Sequence, residues 1–204
     1  MSGQRELGSK GRQTRDAIEQ AARKLFAERG FHGTTLADIT SAAGRSPAVF
    51  YRYFADKEDL LAALAESFLH DVVAPSGLTV RLPDSPQDTD FFSSVVSGYW
   101  NMFKQNIGIM IAVAQLAATE QRFAALQNAF RRFGIDIVAA SVRRAQQQGY
   151  GCELDPEHTA AAIALLFENF TTVFVGPSGP GWRISDADAV ATLSTIWKKT
   201  LYGF

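Results

Sequence analysis

The chain has 204 residues, 47% of them hydrophobic, and a formal net charge of −1. That apolar content supplies one substantial core or two smaller ones and excludes a disordered chain. The single cysteine, Cys152, excludes an internal disulfide and agrees with a reducing compartment.

The first residues, MSGQRELGSKGRQTRD, are polar and basic with no apolar h-region, so they read as neither a signal peptide nor an anchor. The longest weakly polar run, residues 107–118, falls short of the roughly 18 residues that span a bilayer. A cytoplasmic protein with no membrane partner is expected. Charge is unevenly spread: residues 1–57 carry ten Lys/Arg against six Asp/Glu, and residues 58–204 carry ten against fifteen. A positive block on an acidic protein suits a polyanion, although a solvated helix surface has the same charge.

Across residues 13–29, apolar Ala17, Ile18, Ala21, Ala22, Leu25 and Phe26 recur at helical spacing, with Arg15, Glu19, Arg23 and Lys24 on the outer face. Gly30 follows as a C-terminal cap. Thr35 and Asp38 have the spacing of a reciprocal capping pair, and Leu36, Ile39 and Ala43 share one face of the helix they begin. Gly44 suits the left-handed turn that ends it. Ser46 then stands as an N-cap, with Pro47 at the first position of a third helix. Helix, short glycine turn and helix make a helix-turn-helix. A longer helix is expected over residues 57–73, a surface loop over 74–88, and further helices over 90–106, 107–119, 121–148, 156–175 and 186–201. No stretch alternates with the period of a strand, so the fold class is all-α, with about nine helices.

At 100° per residue, Phe50 and Phe54 lie together on one side of the third helix, while Ala48 and Arg52 point nearly opposite. The phenylalanines suit the core, and Tyr51 and Tyr53 flank them. This spacing fits a helix in a DNA major groove. Small Ser46, Pro47 and Ala48 let the backbone approach base edges, Val49 meets a thymine methyl, Arg52 reaches a guanine or phosphate, and the tyrosines reach phosphates. Thr35 and Lys57, each at a helix start, add phosphate contacts.

Residues 15–67, RDAIEQAARKLFAERGFHGTTLADITSAAGRSPAVFYRYFADKEDLLAALAES, resemble the DNA-binding domain of the TetR family of transcriptional regulators. The likeness lies in the A-x-x-L-F-x-x-x-G-F stretch, the T-T-x-x-x-I opening the second helix, the A-G turn and the closing Y-x-x-F-x-x-K-x-x-L. It implies base contacts from Ser46, Pro47, Ala48, Val49 and Arg52, and phosphate contacts from Thr35, Tyr51, Tyr53 and Lys57. Phe50 stands where leucine is usual and Tyr53 where histidine is frequent, and Arg45 replaces a common valine and adds a cation. An N-terminal arm carrying Arg5, Lys10, Arg12 and Arg15 either enters a minor groove or is a solvated tail. The expected organisation is a DNA-binding domain over residues 1–56, with 1–11 a flexible basic arm, and a ligand-binding and dimerisation domain over 57–204.

The larger domain is rich in aromatics. Tyr99, Trp100, Phe103, Met110, Val113, Phe130, Phe133 and Phe170 are the candidate lining of an apolar pocket for a small lipophilic effector. Asn101, Gln115, Asn169 and Glu168 are its polar candidates; Glu168, inside AIALLFENFTTVFV, must face a rim, a partner or a polar ligand group. On the last two helices, Ala161, Ala164, Leu165 and Thr172 with Leu193, Ile196, Trp197 and Leu201 fit either a homodimer interface, as the resemblance implies, or packing within the chain. GPSGPGWR, residues 176–183, connects them.

No enzyme is expected. His32, His70 and His158 form no H-E-x-x-H pair, no G-x-S-x-G turn occurs, and GQRELGSK has Ser-Lys reversed relative to a phosphate-binding loop. No metal site or cofactor is indicated. The resemblance implies a one-component regulator, a repressor whose dimer reads a palindromic double-stranded operator and leaves it on binding effector, the helix over 57–73 acting as lever. A corepressor-dependent regulator or activator, or a helical protein-binding scaffold, are the alternatives.

Overall fold

The computed structural model describes residues 8–73, 81–176, 179 and 181–203. Arg5 of the expected arm, residues 74–80 of the expected loop and residues 177, 178 and 180 of the connector lie outside the described residues. Nine helices and no strand occur among those described: α1 (Ser9–Arg29), α2 (Leu36–Ala42), α3 (Pro47–Phe50), α4 (Lys57–Val73), α5 (Thr89–Gln105), α6 (Ile107–Ala117), α7 (Gln121–Gln147), α8 (Pro156–Val175) and α9 (Asp186–Tyr202). The fold is all-α, as expected.

Helix α1 starts four residues before the apolar period does. The amides of Gly11 and Arg12 donate to the Gly8 carbonyl at 2.8 and 3.0 Å, so backbone bonds extend the helix through a polar stretch. Lys10 and Arg12 therefore ride on α1 rather than in an arm.

The chain forms two compact units. The first takes the described residues up to Phe68 together with Gly108–Leu126. Its core combines Ile18, Leu25 and Phe26 of α1 with Ile39, Phe50 and Phe54 of the helix-turn-helix and Leu60, Leu61 and Leu64 of α4, all buried. Ile109, Val113 and Phe123, from much later in the chain, are buried in the same unit. This unit thus extends beyond residue 56, because the first turns of α4, α6 and the start of α7 supply apolar surface that the small helix-turn-helix lacks.

Gly108 fixes how α6 meets α1. A β-carbon there would stand 2.5 Å from the Ala27 nitrogen and 2.6 Å from the Phe26 carbonyl carbon, so α6 approaches the α1 backbone more closely than any side chain permits. Lys57, the first residue of α4, is half-buried; its Nζ donates to the carbonyls of Phe31 at 2.8 Å and Thr34 at 2.9 Å and lies 4.1 Å from the Phe31 ring centroid.

The second unit takes the described residues of 69–107 and 127–203. Trp197 of α9 is at its centre, with Phe91 and Phe92 of α5 edge-on at 5.6 and 5.3 Å and Phe167 of α8 at 6.1 Å. Its indole Nε1 donates to the Ser141 Oγ at 3.1 Å, and that hydroxyl donates to the Val138 carbonyl at 2.6 Å, so both buried polar groups are satisfied. Helices α8 and α9 begin at Asp155 and Ser185, whose side chains accept from the amides of His158 and Asp188.

By length and composition α8 is apolar enough to cross a membrane, which a search for unbroken apolar runs misses because polar residues interrupt it. Here it buries Ala160, Ile163, Phe167 and Thr171 and carries Glu168, paired with Arg131 of α7.

Gly108→Val should lower the midpoint of thermal unfolding through a loss of more than about 2 kcal/mol, since the α1 backbone has nowhere to go. Gly98→Ala, whose β-carbon meets nothing within 4 Å, should raise it slightly, by about 0.5–1 kcal/mol of helix propensity. Equal effects at the two glycines would contradict the close approach of α6 to α1.

Candidate nucleic-acid interface and effector-domain residues

The presented surface of the helix-turn-helix starts with a capping box. The Thr35 Oγ1 accepts from the Asp38 amide at 3.1 Å and donates to the Asp38 Oδ2 at 2.6 Å, while the Thr35 amide donates to that Oδ2 at 2.9 Å. These bonds from the Thr35 hydroxyl and amide hold the exposed Asp38 carboxyl below its usual range. The Thr35 side chain is therefore exposed but engaged within the protein. At the other end of α2, Gly44 takes φ 62°, and the Arg45 amide donates back to the Thr40 carbonyl at 2.9 Å. A side chain at Gly44 would be strained, so glycine is what makes the sharp turn into α3 possible.

Helix α3 is only four residues long. Beyond it the chain tightens, with the amides of Arg52 and Tyr53 donating to carbonyls three residues back. The sidedness expected from a regular helix survives this tightening. Phe50 and Phe54 are buried, with ring centroids 5.6 Å apart, while Ala48 and Arg52 are exposed. Arg45, Ser46 and Pro47 are exposed too, Val49 and Tyr53 are half-buried, and Tyr51 is 60% exposed with its ring edge-on to Phe50. Ser46 occupies the N-cap without its hydroxyl capping, which leaves that hydroxyl uncommitted. Nine of the ten predicted DNA-contact residues thus lie between Thr35 and Tyr53 on α2, α3 and their flanks. Lys57 differs: its ammonium is turned inward onto the Phe31 and Thr34 carbonyls.

Of the predicted effector residues, Met110 and Val113 belong to the first unit and the other six to the second. In the second unit Tyr99 lies 5.8 Å from both Phe103 and Phe167, and Trp100 lies 6.3 Å from Phe170. Phe130 and Phe133 are half-buried on α7. The Tyr99 hydroxyl and the Thr171 Oγ1 are buried without a complete hydrogen bond. Burial pushes the Tyr99 phenol well above its usual value; the neighbouring Thr171 hydroxyl opposes this, and the Glu168 carboxylate adds to it. Among the polar candidates, Asn101, Gln115 and Asn169 are exposed. Glu168 accepts from the Arg131 Nε at 2.7 Å and Nη2 at 2.8 Å, a bidentate pair between α8 and α7 that raises the Arg131 pKa first through these hydrogen bonds.

The candidate dimer residues divide by facing. Leu165, Leu166 and Ile196 are exposed, and Ala161, Ala164 and Thr172 are half-buried. Leu193, Trp197 and Leu201 are buried in the chain's own core, against α5, and offer no surface to a partner; the helical period that placed them together is the period of the inner face.

The sequence reading passed over a cleft of about 530 Å³ walled by Trp100, Lys104, Phe174, Trp182, Arg183 and Asp186. The Trp100 Nε1 donates to the Asp186 Oδ1 at 2.9 Å, and the Lys104 Nζ reaches both carboxylate oxygens at 3.0 and 2.7 Å. Those bonds, Lys104 first and then Trp100, hold the Asp186 carboxyl below its usual range. The available signal was Trp182 itself, a large aromatic in a Gly/Pro-rich connector where no helical period calls for one.

Residues 18–64 match the sequence profile of the bacterial regulatory proteins of the tetR family. The HTH-type transcriptional regulator EthR of Mycobacterium tuberculosis is 29% identical over 192 residues, covering 92% of this chain and 86% of that one. Two solved structures share the fold along nearly the whole chain. A TetR-family regulator from Rhodococcus sp. has a TM-score of 0.65 at 23% identity, covering 93% of this chain and 99% of its own. The transcriptional regulator FadR of Bacillus subtilis, solved in complex with stearoyl-CoA, has a TM-score of 0.65 at 19% identity, covering 93% and 98%. The relatives are transcriptional regulators rather than enzymes, and together with the helix-turn-helix matched at residues 18–64 they support a TetR family transcriptional regulator.

Proposed function

We propose that the protein is a repressor that binds a palindromic DNA operator as a homodimer in the cytoplasm and is released by a small lipophilic effector. The observation that carries this reading is the sidedness of α3. Two buried phenylalanines anchor a surface on which Ser46, Pro47, Ala48, Tyr51 and Arg52 stand free, within a segment of net positive charge. We assign base contacts to Ser46, Pro47, Ala48, Val49 and Arg52, and phosphate contacts to Thr35, Arg45, Tyr51 and Tyr53. For Lys57 the backbone amide is the available phosphate donor, since its ammonium is held inside.

Dimerisation is supported by Leu165, Leu166 and Ile196, which are 47%, 39% and 37% exposed on α8 and α9. Large apolar side chains left in water on two helices favour a partner with the same surface. Two recognition helices must lie about 34–36 Å apart, or a multiple of it, to read successive turns of one DNA face.

An effector site among the aromatics is supported by the Tyr99 and Thr171 hydroxyls, two polar groups short of partners inside an aromatic cluster. Such groups suit the carbonyl or hydroxyl of a largely apolar ligand. The acyl chain in the related FadR complex is of that chemical kind. Release requires the effector to bind the state with the wrong recognition-helix spacing more tightly than the DNA-bound state. Helix α4 is the assigned lever.

Tyr51→Phe should weaken binding to every DNA sequence by a similar factor, whereas Arg52→Gln should cost about 1–3 kcal/mol at the preferred operator and blur its preference. Binding titrations on operator and scrambled duplexes distinguish the two, and loss of discrimination in the tyrosine variant would count against its phosphate role. Lys57→Gln should leave the slope of log affinity against log salt unchanged, because its ammonium neutralises no phosphate, and should lower unfolding stability by about 2 kcal/mol.

Tyr99→Phe should change the stability of the free protein little, since the hydroxyl it removes lacks a complete hydrogen bond. The same change should blunt effector release; a full response would take Tyr99 out of the site. Leu165→Glu combined with Ile196→Glu should shift the protein to a monomer on sizing without unfolding it, and a dimer that survives both charges would place the interface elsewhere.

A further inference from the structure

Five large apolar side chains are exposed among the described residues: Tyr51, Leu165, Leu166, Trp182 and Ile196. The proposed DNA and dimer surfaces account for four. Trp182 is 60% exposed and belongs to neither; it packs edge-on to Phe174 with centroids 4.7 Å apart and forms the lip of the cleft beside α5, α8 and the start of α9.

We propose that this cleft is a binding site for a small planar aromatic monocarboxylate, whose ring stacks on the exposed face of Trp182, backed edge-on by Phe174, and whose carboxylate pairs with Arg183. Its volume of about 530 Å³ falls within the range of small-molecule sites, about 300–1,000 Å³. Charge selects the ligand class. Lys104, Arg183 and Asp186 line the cleft, and the Lys104 ammonium and Asp186 carboxylate already neutralise each other at 2.7 Å. Asp186 is further occupied by the Trp100 indole. What remains is the Arg183 guanidinium, which makes no hydrogen bond or ion pair among the described residues and presents the planar fork that suits a carboxylate. A cationic ligand finds no unspent carboxylate here. A phosphomonoester dianion exceeds the one unpaired positive charge, and a neutral lipophile leaves that charge unused.

This site goes beyond the operator reading and is tested without DNA. The full chain is titrated by calorimetry with 2-naphthoate and, separately, with its neutral counterpart 2-naphthamide. Naphthoate should bind saturably, one per chain, and at least about tenfold more tightly than the amide, since one charge-assisted pair is lost. Arg183→Gln and Trp182→Ala should each weaken naphthoate about tenfold; both side chains are exposed, so unfolding midpoints should stay at the parent value. Tyr99→Phe should leave the affinity unchanged. The proposal is overturned if naphthoate does not bind at millimolar concentration or binds no better than the amide. It is equally overturned if binding survives both cleft variants, or is lost with Tyr99→Phe while Arg183→Gln is silent, which would move the ligand to the aromatic cluster.

Discussion

The recognition surface depends on where the Lys57 ammonium goes. A four-residue helix cannot nucleate or orient itself, so α3 points where its neighbours direct it. Lys57 draws the carbonyls of Phe31 and Thr34 together beneath α4, and those two residues form the turn from which α2 departs. Hydrogen bonds from a charged donor contribute about 1.5–3 kcal/mol each, more than the box at Thr35 or the turn at Gly44 supplies alone. With that turn fixed, burial of Phe50 and Phe54 determines the roll of α3, and Tyr51 and Arg52 are left outside.

The same constraint explains why the first unit extends past the helix-turn-helix. A unit of about fifty residues buries too little apolar surface to be comfortably stable, and here Ile109, Val113 and Phe123 add to its core. Arg122 also pairs with Asp59 at 3.2 Å and Glu66 at 3.5 Å, but half-exposed ion pairs contribute only about 0–1 kcal/mol. Apolar burial and the backbone contact at Gly108 therefore hold α6 in place.

Local rules made the helix-turn-helix legible in the sequence: the Thr35–Asp38 box, the glycine turn, Pro47 at a helix start and the sidedness of α3 each follow from a few neighbouring residues. The start of α1 was not legible, because the amides of Gly11 and Arg12 extend it without any apolar period. Helical period shows that Leu193, Ile196, Trp197 and Leu201 recur along α9, yet not which of them face α5 and which face water; only packing separates Trp197 from Ile196. The inward turn of the Lys57 ammonium was not legible for a related reason: its partners are backbone carbonyls more than twenty residues earlier, whereas the phosphate contact expected at this helix start involves the backbone amide.

Glu168 shows the same limit. A carboxylate in an apolar helix demands compensation, and the sequence offers no way to rank a ligand, a partner or another helix as its source. The bidentate Arg131 bond supplies it from α7, so Glu168 is not an unpaired charge waiting for an effector. The polar capacity left in the second unit then falls into two kinds. The Tyr99 and Thr171 hydroxyls are neutral and buried, where an unsatisfied polar group costs about 1–3 kcal/mol; a ligand that completes their bonds relieves that cost only if the rest of it is apolar enough to enter. The Arg183 guanidinium is charged and open to water, where the cost of leaving it unpaired is small and a partner must bring both a charge and a flat surface to gain anything. Their chemistry separates the two: one favours a neutral polar group on an apolar body, and the other a carboxylate on an aromatic ring.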